Sequence, residues 1–288
     1  MGQRYKGIIY IIISSFCFAL MNMFVRLSGD LPSIQKSFFR NLIALLFALI
    51  LMKKNHAGFS GEKSNWKYLI LRAGFGTIGI LANYYAIDRL VLADASILNK
   101  MSPFFVVIFS IFILKEKAKL PQLLAVFGAF AGCLFVIKPT FANVDFQPAL
   151  IGLLGGMAAG AAYTFVRLLG NRGEKGPFIV FFFSGFSCLV TLPYLLFHYA
   201  PMTLWQLGML LLAGLSAAGG QFSITAAYCY APAREISIYD YSQIIFSTLL
   251  GFLVFGQIPD VLSWIGYAVI CTMAILMFFY NNRKKAEA

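Results

Sequence analysis

The chain has 288 residues, of which 60% are hydrophobic and only 12% charged, with 30 phenylalanines and a formal net charge of +12. Soluble domains run about 45–50% apolar and about 25% charged, so a soluble enzyme, a secreted domain and a disordered chain are excluded. The basic balance, which would suggest nucleic acid in a soluble protein, has first to be weighed against membrane topology.

Ten apolar runs follow in chain order: 7–26, 33–52, 68–87, 93–114, 121–138, 149–169, 178–197, 205–230, 235–256 and 261–280. Each is close to the ~20 residues a helix needs to cross a bilayer, and none alternates as a barrel strand would. Lipid-exposed backbone must satisfy its own hydrogen bonds, so the expectation is an all-α integral membrane protein with ten transmembrane helices. Arg4 and Lys6 precede a first run that resembles a signal peptide, but it is long and no small-residue cleavage site closes it, so it reads as a first span.

Placing the N-terminus in the cytoplasm puts sixteen Lys and Arg on the inner side and four, Arg26, Lys36, Arg89 and Lys138, on the outer side. That bias predicts a multi-pass protein of the cytoplasmic (inner) membrane with both termini inside, and accounts for the basic charge without nucleic acid. Cys17, Cys133, Cys188, Cys229 and Cys271 lie widely spaced in apolar runs, which fits neither a zinc site nor a disulfide framework. His56 and His198 fall in loops on opposite sides, so no catalytic cluster, metal or cofactor is expected.

An internal repeat is more informative. Shifted by 141 residues, Phe24-Val25-Arg26-Leu27-x-Gly29 falls on Phe165-Val166-Arg167-Leu168-x-Gly170, Gly79 on Gly220, Ala86 on Ala227 and Phe105 on Phe246. The halves, 1–140 and 141–288, hold five spans each; five is odd, so the second enters the membrane upside down. Two inverted-topology five-helix repeats are the architecture of alternating-access carriers, whose solute site lies near the midplane between the halves. Glycines at i+4 spacing, Gly152, Gly156 and Gly160 on the sixth span and Gly128 and Gly132 on the fifth, let helix backbones approach. On the fifth span this reads as static packing; on the sixth it is either that or a sliding surface.

Four ionisable residues fall inside spans: Arg40, Arg72, Lys100 and Asp240. Charge at membrane depth is costly unless paired or wet, so each is a functional candidate. Counting 1.5 Å per residue from the nearer helix end puts Arg40 and Lys100 about 10 Å below the outer surface, and Arg72 and Asp240 about 6–8 Å above the inner one. Ser96, Asn99, Lys100 and Pro103 share a helical face, and the repeat places Ser237, Asp240, Tyr241 and Ile244 opposite them, so this polar stripe reads as a cavity lining. Pro103 also frees a carbonyl near residue 99. Arg72 either snorkels to headgroups or pairs with Asp240; Asp240 alternatively binds an ammonium group or carries a proton. Tyr84, Tyr163 and Tyr241 are placed to wall a cavity, while Asn83, Gln221 and Gln243 add donors and acceptors there or join helices.

Several short patterns lie in a characteristic order: Phe24-Val25-Arg26-Leu27, Arg40 with Asn41, Tyr84-Tyr85-Ala86 through Leu92-Ala93-Asp94-Ala95, Pro103, and Leu114-Lys115-Glu116. Tyr239-Asp240-Tyr241 and Gly256-Gln257-Ile258-Pro259-Asp260 complete them. Over almost its whole length the chain resembles the drug/metabolite transporter superfamily, in the ten-span branch built from two EamA domains. It departs at Gln257, where an acidic residue is common, and at Ile244, which lacks the proline of the first half. The resemblance implies a secondary carrier with helices 5 and 10 peripheral and a central cavity formed by the other eight. Small four-span multidrug relatives use a membrane-embedded Glu in their first helix; the first span here has no acidic residue, which disfavours a cationic-drug exporter of that type.

The expected activity is export, by alternating access, of an amino-acid-like or other small carboxylate-bearing metabolite. Arg40 and Lys100 would draw the carboxylate, and Asp240 would hold an amino group or a coupling proton. A purine or S-adenosylmethionine-like solute held by tyrosines is the alternative. A non-transporting membrane scaffold subunit is the rival from another class. The expected partners are a small metabolite and the bilayer, in a monomer or homodimer without enzyme activity.

Overall fold

The computed structural model describes residues 3–54, 61–89, 98–115, 119–137, 146–256 and 261–286, and among them every regular element is helical. Ten helices of twelve or more residues occur there: α1 (Gln3–Leu27), α2 (Ser33–Lys54), α3 (Trp66–Arg89), α4 (Ser102–Ile113) and α5 (Leu120–Ile137). The second group comprises α6 (Phe146–Asn171), α7 (Gly176–Phe197), α8 (Leu204–Tyr230), α9 (Ser242–Phe255) and α10 (Val261–Ala286). Six stretches are long and apolar enough to cross a membrane: α1, α2, α7, α8, Gln147–Asn171 of α6, and Ser237–Phe255. The α3 helix has the length, but Arg72, Asn83, Tyr84 and Tyr85 dilute its apolar character. In α4, α5 and α10 the apolar stretches among the described residues are shorter.

Two of the expected continuous spans are broken. The fourth does not run through 93–114: α4 begins at Ser102, with Lys100 and Met101 in a turn before it, and Ser96 lies outside the described residues. Pro103 accounts for this start, because it has no N–H to donate to the preceding turn and its ring clashes with the carbonyl four residues back. In the ninth, one α-turn (Ala233–Ile236) passes into a 3-10 segment (Ser237–Tyr241) before α9 begins. No proline is involved there. Instead the Ser242 backbone N–H turns to the Tyr239 and Asp240 carbonyls, the tighter bonding of a 3-10 path, and the Ser15 hydroxyl of α1 lies 3.3 Å from the Asp240 carbonyl oxygen. Of the expected polar stripe, Lys100 thus lies in a turn and Ser237, Asp240 and Tyr241 in a 3-10 segment, while Asn99, Pro103 and Ile244 are helical.

The packing pairs are arranged in counterparts. As α1 lies along α8, so α6 lies along α3; α1 packs on α9 as α6 packs on α4; α2 packs on α8 as α7 packs on α3. Two further pairs, α2 with α7 and α5 with α10, are their own counterparts. Residues equivalent at the 141 offset sit at equivalent interfaces. A Cβ on Gly79 would stand 3.2 Å from the Gly155 carbonyl oxygen of α6, and one on Gly220 would stand 2.8 Å from the Phe18 ring of α1. These contacts need glycine, since in lipid close approach rather than hydrophobic exclusion holds helices together.

One contact breaks the pattern. The C-terminal ends of α6 and α8 meet, whereas no comparable packing joins α1 to α3 among the described residues. Arg167 donates to the carbonyls of Tyr228 (3.2 Å) and Cys229 (3.0 Å), and a Cβ on Gly170 would stand 2.7 Å from Cys229 Sγ. At the matching position Arg26 instead lies 4.9 Å over the Phe255 ring, and the nearest atom to a Cβ on Gly29 would be Gln206 Nε2 at 3.7 Å.

Candidate functional site

A buried polar junction forms where the turn before α4 meets the 3-10 segment before α9, against α1. The Lys100 ammonium donates to Gln243 Oε1 (2.5 Å) and lies 3.7 Å from Asp240 Oδ2. Asp240 Oδ1 lies 3.3 Å from the Ser15 hydroxyl, whose shorter contact is the Ile11 carbonyl of its own helix at 2.9 Å. Lys100, Asp240 and Gln243 are all buried. The expectation that Lys100 and Asp240 occupy separate outer and inner layers is thus corrected. Depth counted along unbroken helices does not hold where both segments leave the α-helical path.

Glycines of α6 seat this junction. A Cβ on Gly156 would collide with the Leu98 carbonyl, and one on Gly160 would stand 2.6 Å from Phe105 Cβ and 3.0 Å from the Ser102 carbonyl oxygen. The glycine face therefore holds the stretch that carries Asn99 and Lys100. On α5, a Cβ on Gly128 would meet the Met273 side chain of α10 and one on Gly132 would stand 3.1 Å from the Gly266 carbonyl, which is a static packing role.

Arg40 projects from α2 into the interior and is 7% exposed. Its Nε donates to Met21 Sδ at 3.4 Å and its Nη1 to Asn41 Oδ1 at 3.2 Å. Asn41 is fixed in turn by donating to Ser187 Oγ of α7 at 3.0 Å. Arg72 is 1% exposed, and its guanidinium lies 3.9 Å over the Phe183 ring of α7. It neither snorkels to a surface nor pairs with Asp240, whose ion pair among the described residues is with Lys100. The negative face of the Phe183 ring draws the guanidinium inward.

The remaining expected site residues divide by burial. Tyr163 is partly open and stacks on Tyr228 with centroids 5.4 Å apart, while Asn83 and Asn99 are half-buried. Tyr84, Tyr241 and Ser237 are enclosed. Gln221 turns to Thr225 Oγ1 of its own helix at 3.3 Å, serving α8 rather than joining helices in the described contacts. The sequence reading missed Ser15 and Phe183. Ser15 does carry a signal, as half of a Ser14-Ser15 pair in an apolar run; Ser14 donates to the Gly220 carbonyl at 2.8 Å. Phe183 carries none among so many phenylalanines.

Comparison with known proteins places these features. The model of the EamA-like transporter family matches residues 5–138 and again 147–279. The pseudopaline exporter CntI of Pseudomonas aeruginosa is 31% identical over 274 residues, covering 94% of this chain and 95% of that protein. Solute carrier family 35 member G1 of Homo sapiens is 26% identical over 93% of this chain and 77% of its own length, and a riboflavin transporter of Vibrio cholerae is 25% identical over 97% and 95%. One solved crystal structure superposes with a TM-score of 0.83 at 14% identity, covering 97% of this chain and 99% of the other, which establishes a shared fold. The chain belongs to the EamA-like transporter family and is a multi-pass membrane transporter of small molecules rather than an enzyme.

Proposed function

We propose that the protein is a secondary carrier of ten spans, built as two inverted five-helix repeats, that exports a small carboxylate-bearing metabolite by alternating access. The observation that carries this reading is the central junction: the two broken segments, one from each half, meet at Lys100 and Asp240. Broken helices at a repeat interface are where such carriers hold solutes. The paired packing of α1–α8 with α6–α3 supports the repeat. The Lys and Arg bias supports cytoplasmic termini. In that orientation the joined ends of α6 and α8 close the cytoplasmic side, while the matching ends of α1 and α3 make no comparable contact among the described residues. Arg40 attracts the solute carboxylate, since Lys100 is already engaged. An amino group on the solute competes with Lys100 for Asp240, coupling occupancy to the contact between the halves.

The test is counterflow in proteoliposomes with a panel of labelled amino acids and other small carboxylates. Arg40→Gln is expected to lower flux at least tenfold and Asp240→Asn to alter it; unchanged flux in both removes the assignment. A planar solute is the second reading, favoured by the Tyr163–Tyr228 stack and by the riboflavin transporters among the relatives. Tyr163→Leu would then abolish transport while Arg40→Gln would not.

A further inference from the structure

We infer, on the carrier reading above, that the transported solute bears two negative charges and that Arg40 and Arg72 each receive one of them. The argument is a charge balance. Among the described residues, four ionisable side chains are buried near the centre: Arg40, Arg72, Lys100 and Asp240. Asp240 offsets Lys100 at 3.7 Å. The two guanidiniums have no carboxylate partner among the described residues. Arg40 contacts a thioether sulfur and a neutral amide oxygen, and Arg72 contacts a ring face while its Nε has no acceptor.

A lysine in such a place can shed its proton; arginine cannot, so both charges persist. Buried charges are stable only when paired. Counted over the described residues, the empty carrier therefore has two surplus positive charges at its centre, and a solute with two carboxylates brings the matching number. The two arginines come from different helices, α2 and α3, so a solute that meets both has to span them. A single carboxylate satisfies one guanidinium and leaves the other uncompensated. Each guanidinium offers a planar fork suited to a carboxylate, so two separated carboxylates fit better than one compact anion.

The experiment uses the full-length protein in detergent and in proteoliposomes. Probes are linear dicarboxylates of four to eight carbons, their mono-amides, their di-amides and inorganic phosphate. At least one dicarboxylate is expected to raise the melting temperature and to bind about tenfold or more tightly than its mono-amide, the loss expected for one charged hydrogen-bond pair. Arg72→Gln should erase that preference, so that dicarboxylate and mono-amide bind alike, while Arg72→Lys retains part of it. Size-exclusion profiles identify variants that fail to fold, and the ratio between the two probes is read only from folded protein. Equal binding of dicarboxylates and mono-amides by the wild type would overturn the inference but leave a carboxylate carrier standing. Stabilisation by phosphate alone would overturn the two-carboxylate assignment. No stabilisation by any acid, with flux of a neutral or cationic solute, would remove the carrier reading as well.

Discussion

Removing one charge of the Lys100–Asp240 pair should destabilise the fold more than removing both. The two side chains are 7% and 6% exposed and stand 3.7 Å apart. With an effective dielectric near 20, their attraction is roughly 4 kcal/mol. Breaking a buried pair from one side leaves a lone charge and costs about 3–5 kcal/mol. Asp240→Asn leaves Lys100 with only Gln243, and Lys100→Met leaves Asp240 with only Ser15. Taking about 3 kcal/mol for either, and about 2–3 °C per kcal/mol, each single variant should melt about 6–9 °C below the wild type. The double variant has no buried charge at this point, so its loss should fall below that of either single variant, which requires a coupling above about 3 kcal/mol. The assay is thermal unfolding of purified protein in one detergent, all four members of the cycle side by side. Losses that add within about 0.5 kcal/mol would refute the pairing, as would single variants melting with the wild type.

Gly156→Leu should lower transport by tenfold or more and displace Lys100, because its Cβ collides with the Leu98 backbone. Gly128→Ala should cost only about 1 kcal/mol, since it meets the flexible end of Met273, and parallel flux and melting measurements compare the two. Arg167→Gln removes the donor to the Tyr228 and Cys229 carbonyls and should raise maleimide labelling of Cys229 several-fold, read by mass spectrometry. Arg26→Gln should leave that labelling unchanged, because Arg26 lies over Phe255 rather than at this closure.

Helical content and the main polar positions were legible because a bilayer allows few solutions: long apolar runs must be helices, and ionisable residues inside them stand out. The offset that aligns Gly79 with Gly220 is a pattern of the sequence alone, and it named no interfaces. The breaks were half legible. Pro103 announced one, but its counterpart is Ile244, and no residue type marks the irregularity before α9 in the sequence. Treating both stretches as straight helices put Lys100 and Asp240 at different depths, although a 3-10 segment rises about 2.0 Å per residue and turns more tightly. The fate of Arg72 was hidden because its partner is a ring far along the chain, and an aromatic face carries no sequence mark that sets it apart from lipid-facing phenylalanine.

The duplicated Phe-Val-Arg-Leu-x-Gly motif adopts two local structures. Gly29 takes a left-handed φ of 69° and ends α1, whereas Gly170 stays helical and Gly173, with φ 83°, ends the turn beyond α6. Phe165 and Val166 are buried, while Phe24 and Val25 remain half-exposed. If one motif serves in both environments, the free energies of sealing either end begin nearly equal, and their bias is set where the copies differ. Tyr163 stands where the first half has Asn22, and Cys229 where it has Asp88. A difference of about 1.4 kcal/mol between such positions already shifts the resting population tenfold. Under the proposed alternating access, drift at unmatched residues such as these would retune which side the protein faces at rest without altering the solute.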